Sequence, residues 1–383
     1  MNVQFVDAGE LMARRNGSID PAKFPDEEFE LHSIPAFDAG RPELVQGRQI
    51  GSAKQVVQPK DVMISKIVPH IRRSSVVGPA SARRQIASGE WIVFRSDRFF
   101  PNYLRHVLIS DDFNAKYMAT VSGVGGSLLR ARPAEVAKIK IPLPSLDEQR
   151  RIAAILDKAD TLRAKRREAI AKLDQLLQSM FLDMFGDPAT NPKCLPVASL
   201  GDLGEWRSGG TPRRADLSFF QGDIPWYSSG ELNYAYVGNS NERISADAVA
   251  SSAAKLMKPG SLMVGMYDTA AFKSSITTVL ATCNQAIAFS LLDSSKCETV
   301  YVYQALQLGK EHFKRMQRGV RQKNLNLSMI RETKIPLPAL ELQRRFARAF
   351  SAVLNQLEYH RKQAEGIDKL FVAIQRLAVA GKL

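Results

Sequence analysis

A thirteen-residue segment occurs twice in this chain and constrains its fold more than any other feature. Ile141-Pro-Leu-Pro-Ser-Leu-Asp-Glu-Gln-Arg-Arg-Ile-Ala153 returns as Ile335-Pro-Leu-Pro-Ala-Leu-Glu-Leu-Gln-Arg-Arg-Phe-Ala347, with nine of thirteen positions matching without a gap at an offset of 194 residues. A long-period repeat means one structural unit used twice. Weaker echoes lie upstream of each copy: Ile34-Pro-Ala-Phe-Asp-Ala-Gly with Ile224-Pro-Trp-Tyr-Ser-Ser-Gly, Pro59-Lys-Asp-Val-Met-Ile with Pro259-Gly-Ser-Leu-Met-Val, and Gln85-Ile-Ala with Gln285-Ala-Ile. The chain therefore reads as a globular unit, a long helix, a second globular unit and a second long helix.

Each Ile-Pro-Leu-Pro is extended, because two alternate prolines fix φ and lack amide donors. Helix follows at once. Ser145 stands three residues before Glu148, the spacing of a capping box, whereas the second copy has Ala339 in that place. From Asp147 to about Phe185 there is no proline or glycine. Apolar residues recur there at Ile152, Leu156, Ala159, Ile170, Leu173, Leu177 and Met180, with Ile155, Leu162 and Leu176 widening the stripe. The second stripe runs Phe346, Phe350, Val353, Leu357, Ala364, Ile367, Phe371, Ile374 and Ala378. Steps of three and four mark a coiled-coil seam, and two such seams in one chain bury each other most simply. Arg166 and His360 occupy the same seam position, either fixing register or reaching out to solvent.

Within the globular units, Val62–Ser65, Trp91–Phe94, Ser261–Val264 and Thr277–Leu280 read as short strands, and Tyr301 to about Gln317 as helix. These units are predicted to be mixed α/β. The boundaries place them at 1–144 and 187–338, with helices over 145–186 and 339–383.

Composition narrows the chemistry. At 45% hydrophobic and 24% charged the chain is of globular type, and its uncharged apolar runs are too short for a transmembrane helix. The opening MNVQFVDAGE has no basic n-region, and three cysteines (Cys194, Cys283, Cys297) make no disulfide framework, so a cytoplasmic location is expected. There is no P-loop, no H-E-x-x-H, no Cys-x-x-Cys and no G-x-S-x-G, so neither a catalytic site nor a metal site is expected. Asn191-Pro-Lys-Cys194 is similar to the N-P-P-[FY] motif of amino-methyltransferases but lacks its second proline and aromatic; it reads as interdomain linker. Gly123, Gly125 and Gly126 read as a plain loop rather than a phosphate cradle.

Lys plus Arg exceed Asp plus Glu by 53 to 39, a net charge of +14, which suits a polyanion binder. The excess is localised. Val62 to Gly89 contains no acid but holds Lys66, Arg72, Arg73, Arg83 and Arg84, and Val300 to Lys334 has eight basic residues against Glu311 and Glu332. Candidate DNA-contacting residues are Lys66, Arg72, Arg73, Arg83, Arg84, Arg130 and Arg132 in the first unit. In the second they are Arg207, Thr211, Arg213, Arg214, Lys314, Arg318, Arg321, Gln322, Lys323 and Asn324. Arginine reads guanine bidentately, amides read adenine, and lysines or glycine-loop amides hold phosphates. Taken singly, any of these residues could be part of a solvated basic loop. As a set on both repeats they point to DNA.

The duplicated Ile-Pro-Leu-Pro opening a long helix, Gly209-Gly-Thr-Pro212 in the second unit, and Gly319-Val-Arg-Gln-Lys323 before the second repeat resemble the specificity (S) subunit of type I restriction–modification systems. The resemblance implies an α+β chain with two target-recognition domains in tandem, separated by two long antiparallel coiled-coil helices with pseudo-twofold symmetry. It implies that each domain binds half of a split, asymmetric double-stranded DNA site. It also implies partners: two methyltransferase (M) subunits that use S-adenosylmethionine, and nuclease–translocase (R) subunits that use ATP and Mg. This chain would itself be non-catalytic and hold no cofactor. The first unit departs from the pattern, with Gly17-Ser-Ile-Asp-Pro21 in place of Gly-Gly-Thr-Pro. The competing readings are a stand-alone DNA methyltransferase or nuclease with duplicated DNA-binding domains, and a coiled-coil adaptor that binds no DNA.

Overall fold

The computed structural model describes residues 3–14, 16–122, 129–316 and 324–380. The chain is α+β and divides into two compact units, Met1–Glu168 with Arg361–Leu383, and Ala169–His360. Each unit thus contains one globular part and half of each long helix. Four helices organise the description: α1 (Pro101–Leu108), α2 (Leu146–Phe185), α3 (Thr299–Phe313) and α4 (Leu340–Val379).

The two globular parts are built on one plan. In the first, Val62–Ser65 lies between Ser74–Val76 and Trp91–Phe94, antiparallel to both, with Val62 opposite Val76 and Phe94. In the second, Leu262–Gly265 lies between Ser274–Thr277 and Ile287–Ser290, with Leu262 opposite Ile276 and Ser290. Beside this trio each unit has a strand with one parallel and one antiparallel neighbour. Glu28–His32 runs parallel to Gln85–Ala87 and antiparallel to Glu43–Gln46. Ile224–Tyr227 runs parallel to Thr282–Cys283 and antiparallel to Glu242–Ile244.

This equivalence sorts the upstream echoes. The Pro59 and Pro259 echo marks the same turn entering the same strand. The other two do not align. Ile34 opens a short helix after its strand, whereas Ile224 begins a strand; Gln85 begins a strand, whereas Gln285 precedes one. The strand expected at Thr277–Leu280 is also displaced, since the strand is Ser274–Thr277 and a bend follows.

The duplicated motif has a physical role in both units. Its extended part pairs with the unit's first strand: Lys140–Leu143 with Gln4–Asp7, and Lys334–Pro336 with Val197–Ser199. The proline carbonyl accepts a tyrosine hydroxyl, Tyr103 to Pro142 at 2.9 Å and Tyr301 to Pro336 at 2.6 Å. The motif glutamine, Gln149 or Gln343, is fully buried. Its Oε1 accepts the amide N–H of the residue preceding α1 or α3, Phe100 at 2.7 Å and Glu298 at 3.0 Å. Its Nε2 donates back to Pro144 O at 2.9 Å or Pro338 O at 2.7 Å. One amide thus satisfies buried backbone at two helix starts, where helices leave such groups unpaired. Ser145 Oγ also accepts the Glu148 N–H at 3.4 Å, the cap its position predicted.

The long helices run antiparallel and bury each other within each unit. In the first, Arg163 of α2 pairs with Asp368 of α4 and lies over the Phe371 ring at 4.3 Å. In the second, Phe181 and Phe185 of α2 meet Phe346 of α4 at centroid distances of 5.4 and 5.7 Å. The helix ends also join a sheet core. Ile152, Leu156, Phe371 and Ala378 cluster with Tyr103, Leu104 and Val107 of α1 and with Val62, Ile64 and Phe94. Phe181, Phe185, Phe346 and Phe350 cluster with Tyr301 and Ala305 of α3 and with Leu262, Val264 and Ala288. No residue from 157 to 176, or from 358 to 370, is fully buried, because one partner helix covers only one side. Leu162 and Leu176, taken above as widening the stripe, are 49% and 42% exposed.

After α2 the linker is an ordered turn. Gly186 has φ +79°, and Lys193 Nζ donates to the terminal carbonyls of Asp183 and Met184. The Asn191 side chain closes a turn with the backbone of Leu195 in both directions. These contacts give Asn191-Pro-Lys-Cys194 a structural role.

Candidate nucleic-acid interface

At one end of each antiparallel trio the connecting loops come together. In the first unit they are 66–73, 88–90 and 129–132. The Lys66 N–H donates to Glu90 O at 3.0 Å, and Lys66 O accepts the Ala131 N–H at 2.8 Å. Ile67 bridges to Arg130, and the Val68 N–H donates to Leu129 O at 3.1 Å. Three of the sequence candidates, Lys66, Arg130 and Arg132, therefore converge. Arg130 Nη2 donates to Glu90 Oε1 at 3.1 Å, with its side chain 60% exposed. Arg132 Nε donates to Thr120 O at 3.2 Å. Among the described residues Lys66 has no ion-pair partner.

The other four candidate arginines of that unit are engaged within the fold. Arg73 grips Asp38 with two nitrogens at 2.8 Å and is only 11% exposed. Arg84 grips both oxygens of Glu27 and lies over the Phe24 ring at 4.2 Å; Arg83 pairs with Glu28. Arg72 donates to Asp111 at 2.6 Å and to Ile109 O at 3.2 Å. The guanidinium hydrogen bonds hold the Asp38, Glu27 and Asp111 carboxyls below the usual carboxylate range. The four arginines of the acid-free run from Val62 to Gly89 are thus neutralised by acids from elsewhere in the chain. A linear charge run is not a surface patch.

The matching end of the second unit gathers loops 209–214, 232–235, 266–273 and 284–286. Gly209 and Gly210 pass so close to the backbone of Cys283 and Ala253 that a Cβ would meet carbonyl oxygens at 2.3 and 2.2 Å. That close approach places Thr211, whose hydroxyl donates to Gln285 Oε1. Tyr267 bridges to Asn324, and Lys273 Nζ donates to Asn233 Oδ1 at 3.0 Å. Arg214 grips Glu242 with two nitrogens and stacks over Phe220 and Trp226 at 4.5 and 4.9 Å. Arg207 pairs with Glu205 at 2.9 Å and Lys314 with Glu311 at 3.1 Å, while Arg213 is exposed with no ion-pair partner among the described residues. Arg318, Arg321, Gln322 and Lys323 lie outside the described residues.

Several residues here escaped sequence reading: Glu90 in the first unit, and Asn233, Tyr267, Lys273 and Gln285 in the second. The Pro59 and Pro259 echo held the signal, since Ile67 and Tyr267 each stand eight residues beyond those prolines. For other chemistry little is present. Among the described residues no three His, Cys, Asp or Glu are grouped to hold a metal, and no helix is long and apolar enough to cross a membrane. Burial pushes the Cys283 and Cys297 thiols up, the latter to about 12, so neither is a ready nucleophile.

The model of the Type I restriction modification DNA specificity domain matches residues 55–172 and 195–369, together more than half of the chain. The chain is 32% identical over 159 residues to the specificity subunit of the type I restriction enzyme EcoR124I/EcoR124II of Escherichia coli, covering 39% of this chain and 38% of that one. It is 25% identical over 267 residues to the putative type I restriction enzyme MjaX specificity subunit of Methanocaldococcus jannaschii, covering 65% of this chain and 60% of that one. It thus spans less than two thirds of these curated relatives. Among solved structures, the type I restriction-modification S subunit from M. genitalium has a TM-score of 0.64 at 11% identity, covering 99% of this chain and 96% of that one. A chain from a structure describing assembly of the type I R-M system has a TM-score of 0.59 at 20% identity, covering 100% and 98%. At those identities the likeness is one of fold.

Proposed function

Since the chain belongs to the family of type I restriction modification DNA specificity domains, we propose that it is the sequence-reading subunit of a type I restriction–modification complex. Each unit takes one half of a bipartite, asymmetric DNA site, with recognition domains over 1–144 and 187–338. The two long helices dock methyltransferase subunits, which use S-adenosylmethionine, and through them nuclease–translocase subunits driven by ATP and Mg. The chain itself is non-catalytic, binds no cofactor, and works in the cytoplasm where the DNA is.

One observation carries this reading. A single strand plan, used twice, presents different chemistry at the same end: Lys66, Glu90 and Arg130 in one unit, Thr211, Tyr267, Gln285 and Asn324 in the other. Hydrogen-bonding groups on base edges are what distinguish sequences. Two frames with unlike groups suit two unlike half-sites. The test is to express the chain with a type I methyltransferase subunit and map methylated bases by sequencing. A gapped, asymmetric motif is expected. A contiguous palindrome, or no DNA retention by the complex, overturns the proposal, and methylation or cleavage by the purified chain alone favours the stand-alone enzyme.

A further inference from the structure

We propose that Arg130 reads a guanine in the half-site bound by the first unit, and that Glu90 is the positioning residue that aims it. The inference rests on the specificity-subunit reading and names one contact within it.

At the loop ends that converge beside the strand trio, Arg130 combines exposure with restraint. Its backbone is fixed on both sides, by the bridge to Ile67 and by the flanking bonds from Val68 to Leu129 and from Ala131 to Lys66. Its side chain is tied at one nitrogen only, Nη2 to Glu90 Oε1 at 3.1 Å, and remains 60% exposed. Arg73 and Arg84 instead spend two nitrogens each on one carboxylate. A guanidinium has five N–H donors in a planar fork, so Arg130 keeps free donors while losing much of its rotational freedom. Guanine offers two adjacent acceptors, O6 and N7, that match such a fork.

Glu90 also decides between base and backbone. Its carboxylate halves the local positive charge and repels phosphate, so the pair suits a neutral base edge better than the sugar–phosphate chain. Glu90 is itself held, its carbonyl accepting the Lys66 N–H at 3.0 Å and its side chain 30% exposed. In the second unit the same strand end places Asn324 beside Tyr267, where the first places Arg130 beside Ile67. An amide there cannot make the arginine contact, so a guanine preference at this position belongs to one half-site only.

The test uses the complex with its methyltransferase subunits, comparing methylated motifs and DNA affinities for wild type, Arg130→Ala, Arg130→Lys, Glu90→Gln and Glu90→Ala. For Arg130→Ala, discrimination at one G·C pair of one half-site should fall roughly tenfold to a hundredfold, with the other half-site unchanged. Arg130→Lys should recover overall affinity but not that discrimination, because an ammonium has no fork. Glu90→Ala should raise affinity for non-cognate DNA while lowering discrimination at the same pair, with Glu90→Gln in between. A merely structural Glu90 would lower both. An unchanged motif in Arg130→Ala, or a uniform loss of affinity at an unchanged motif, overturns the proposal. If the wild-type complex has no bipartite motif, the specificity-subunit reading fails; if it has one and only these variants are silent, the guanine contact alone fails.

Discussion

Gln343 shows how much one buried amide can decide. It is fully buried and joins the start of α3 to the carbonyl of Pro338. Gln343→Leu keeps the volume but strands the Glu298 N–H and the Pro338 carbonyl. Each unsatisfied buried group costs about 1–3 kcal/mol, so the denaturant midpoint should drop clearly while Gln363→Leu on the same helix has little effect. His32 makes a different point. It is 7% exposed, its Nε2 has no hydrogen-bond partner, and the nearest carboxylate, Glu30, is 3.6 Å away. Burial pushes its pKa down, against a smaller opposing pull from Glu30. The unfolded chain therefore takes up a proton near pH 6.5 while the folded chain does not, and stability falls as pH drops from about 6.5 towards the lower folded value. Chemical denaturation at pH 7.5 and pH 5 should show a smaller acid loss in His32→Gln than in wild type. Equal losses would mean that His32 takes up its proton equally well when folded.

The long helices are stable elements because of where they pack, more than because of their propensity. An isolated helix gains little in water, and α2 and α4 are fully covered only where a sheet core joins the pair. Phe346 sits at such a place, ringed by Phe181, Phe185 and Phe350 at 5.4 to 5.8 Å. Phe346→Ala should cost roughly 3–5 kcal/mol, whereas Leu176→Ser, on the exposed side of the partner helix, should stay within about 0.5 kcal/mol. Unfolding of the two variants in urea decides it. If both cost the same, the helices are held by their length and not by the sheet cores.

At the scale of the whole molecule the net charge of +14 remains the dominant long-range term, since internal ion pairs cancel in that sum. Pairing does change which cations are free to neutralise phosphate: among the described candidates Lys66, Arg132 and Arg213 pair with no acid, beside the partly tied Arg130. If six to ten phosphates are contacted, affinity of the assembled complex should fall roughly 10³–10⁵-fold between 50 and 200 mM salt. A flat salt response would contradict DNA binding by either unit.

Local regularities were legible from the residues alone. The repeat marked two units, the proline pairs marked extended segments, and the three–four rhythm marked two long helices that the structure bears out over Leu146–Phe185 and Leu340–Val379. Val62–Ser65 and Trp91–Phe94 were legible as strands because continuous apolar runs between turns admit little else. What stayed hidden depends on residues distant in the chain. No spacing rule brings Asp38 to Arg73, Glu27 to Arg84 or Glu242 to Arg214, yet those carboxylates decide which arginines are neutralised within the fold. The same holds for Glu90 and Arg130, forty residues apart and brought together because Lys66 bonds to the backbone of Glu90 while its neighbour Ile67 bridges to Arg130. Sequence determined the elements and their duplication, since both follow from local backbone and periodicity. Tertiary structure alone decided the electrostatics of the candidate interface, because a charge's partner is set by distance in space.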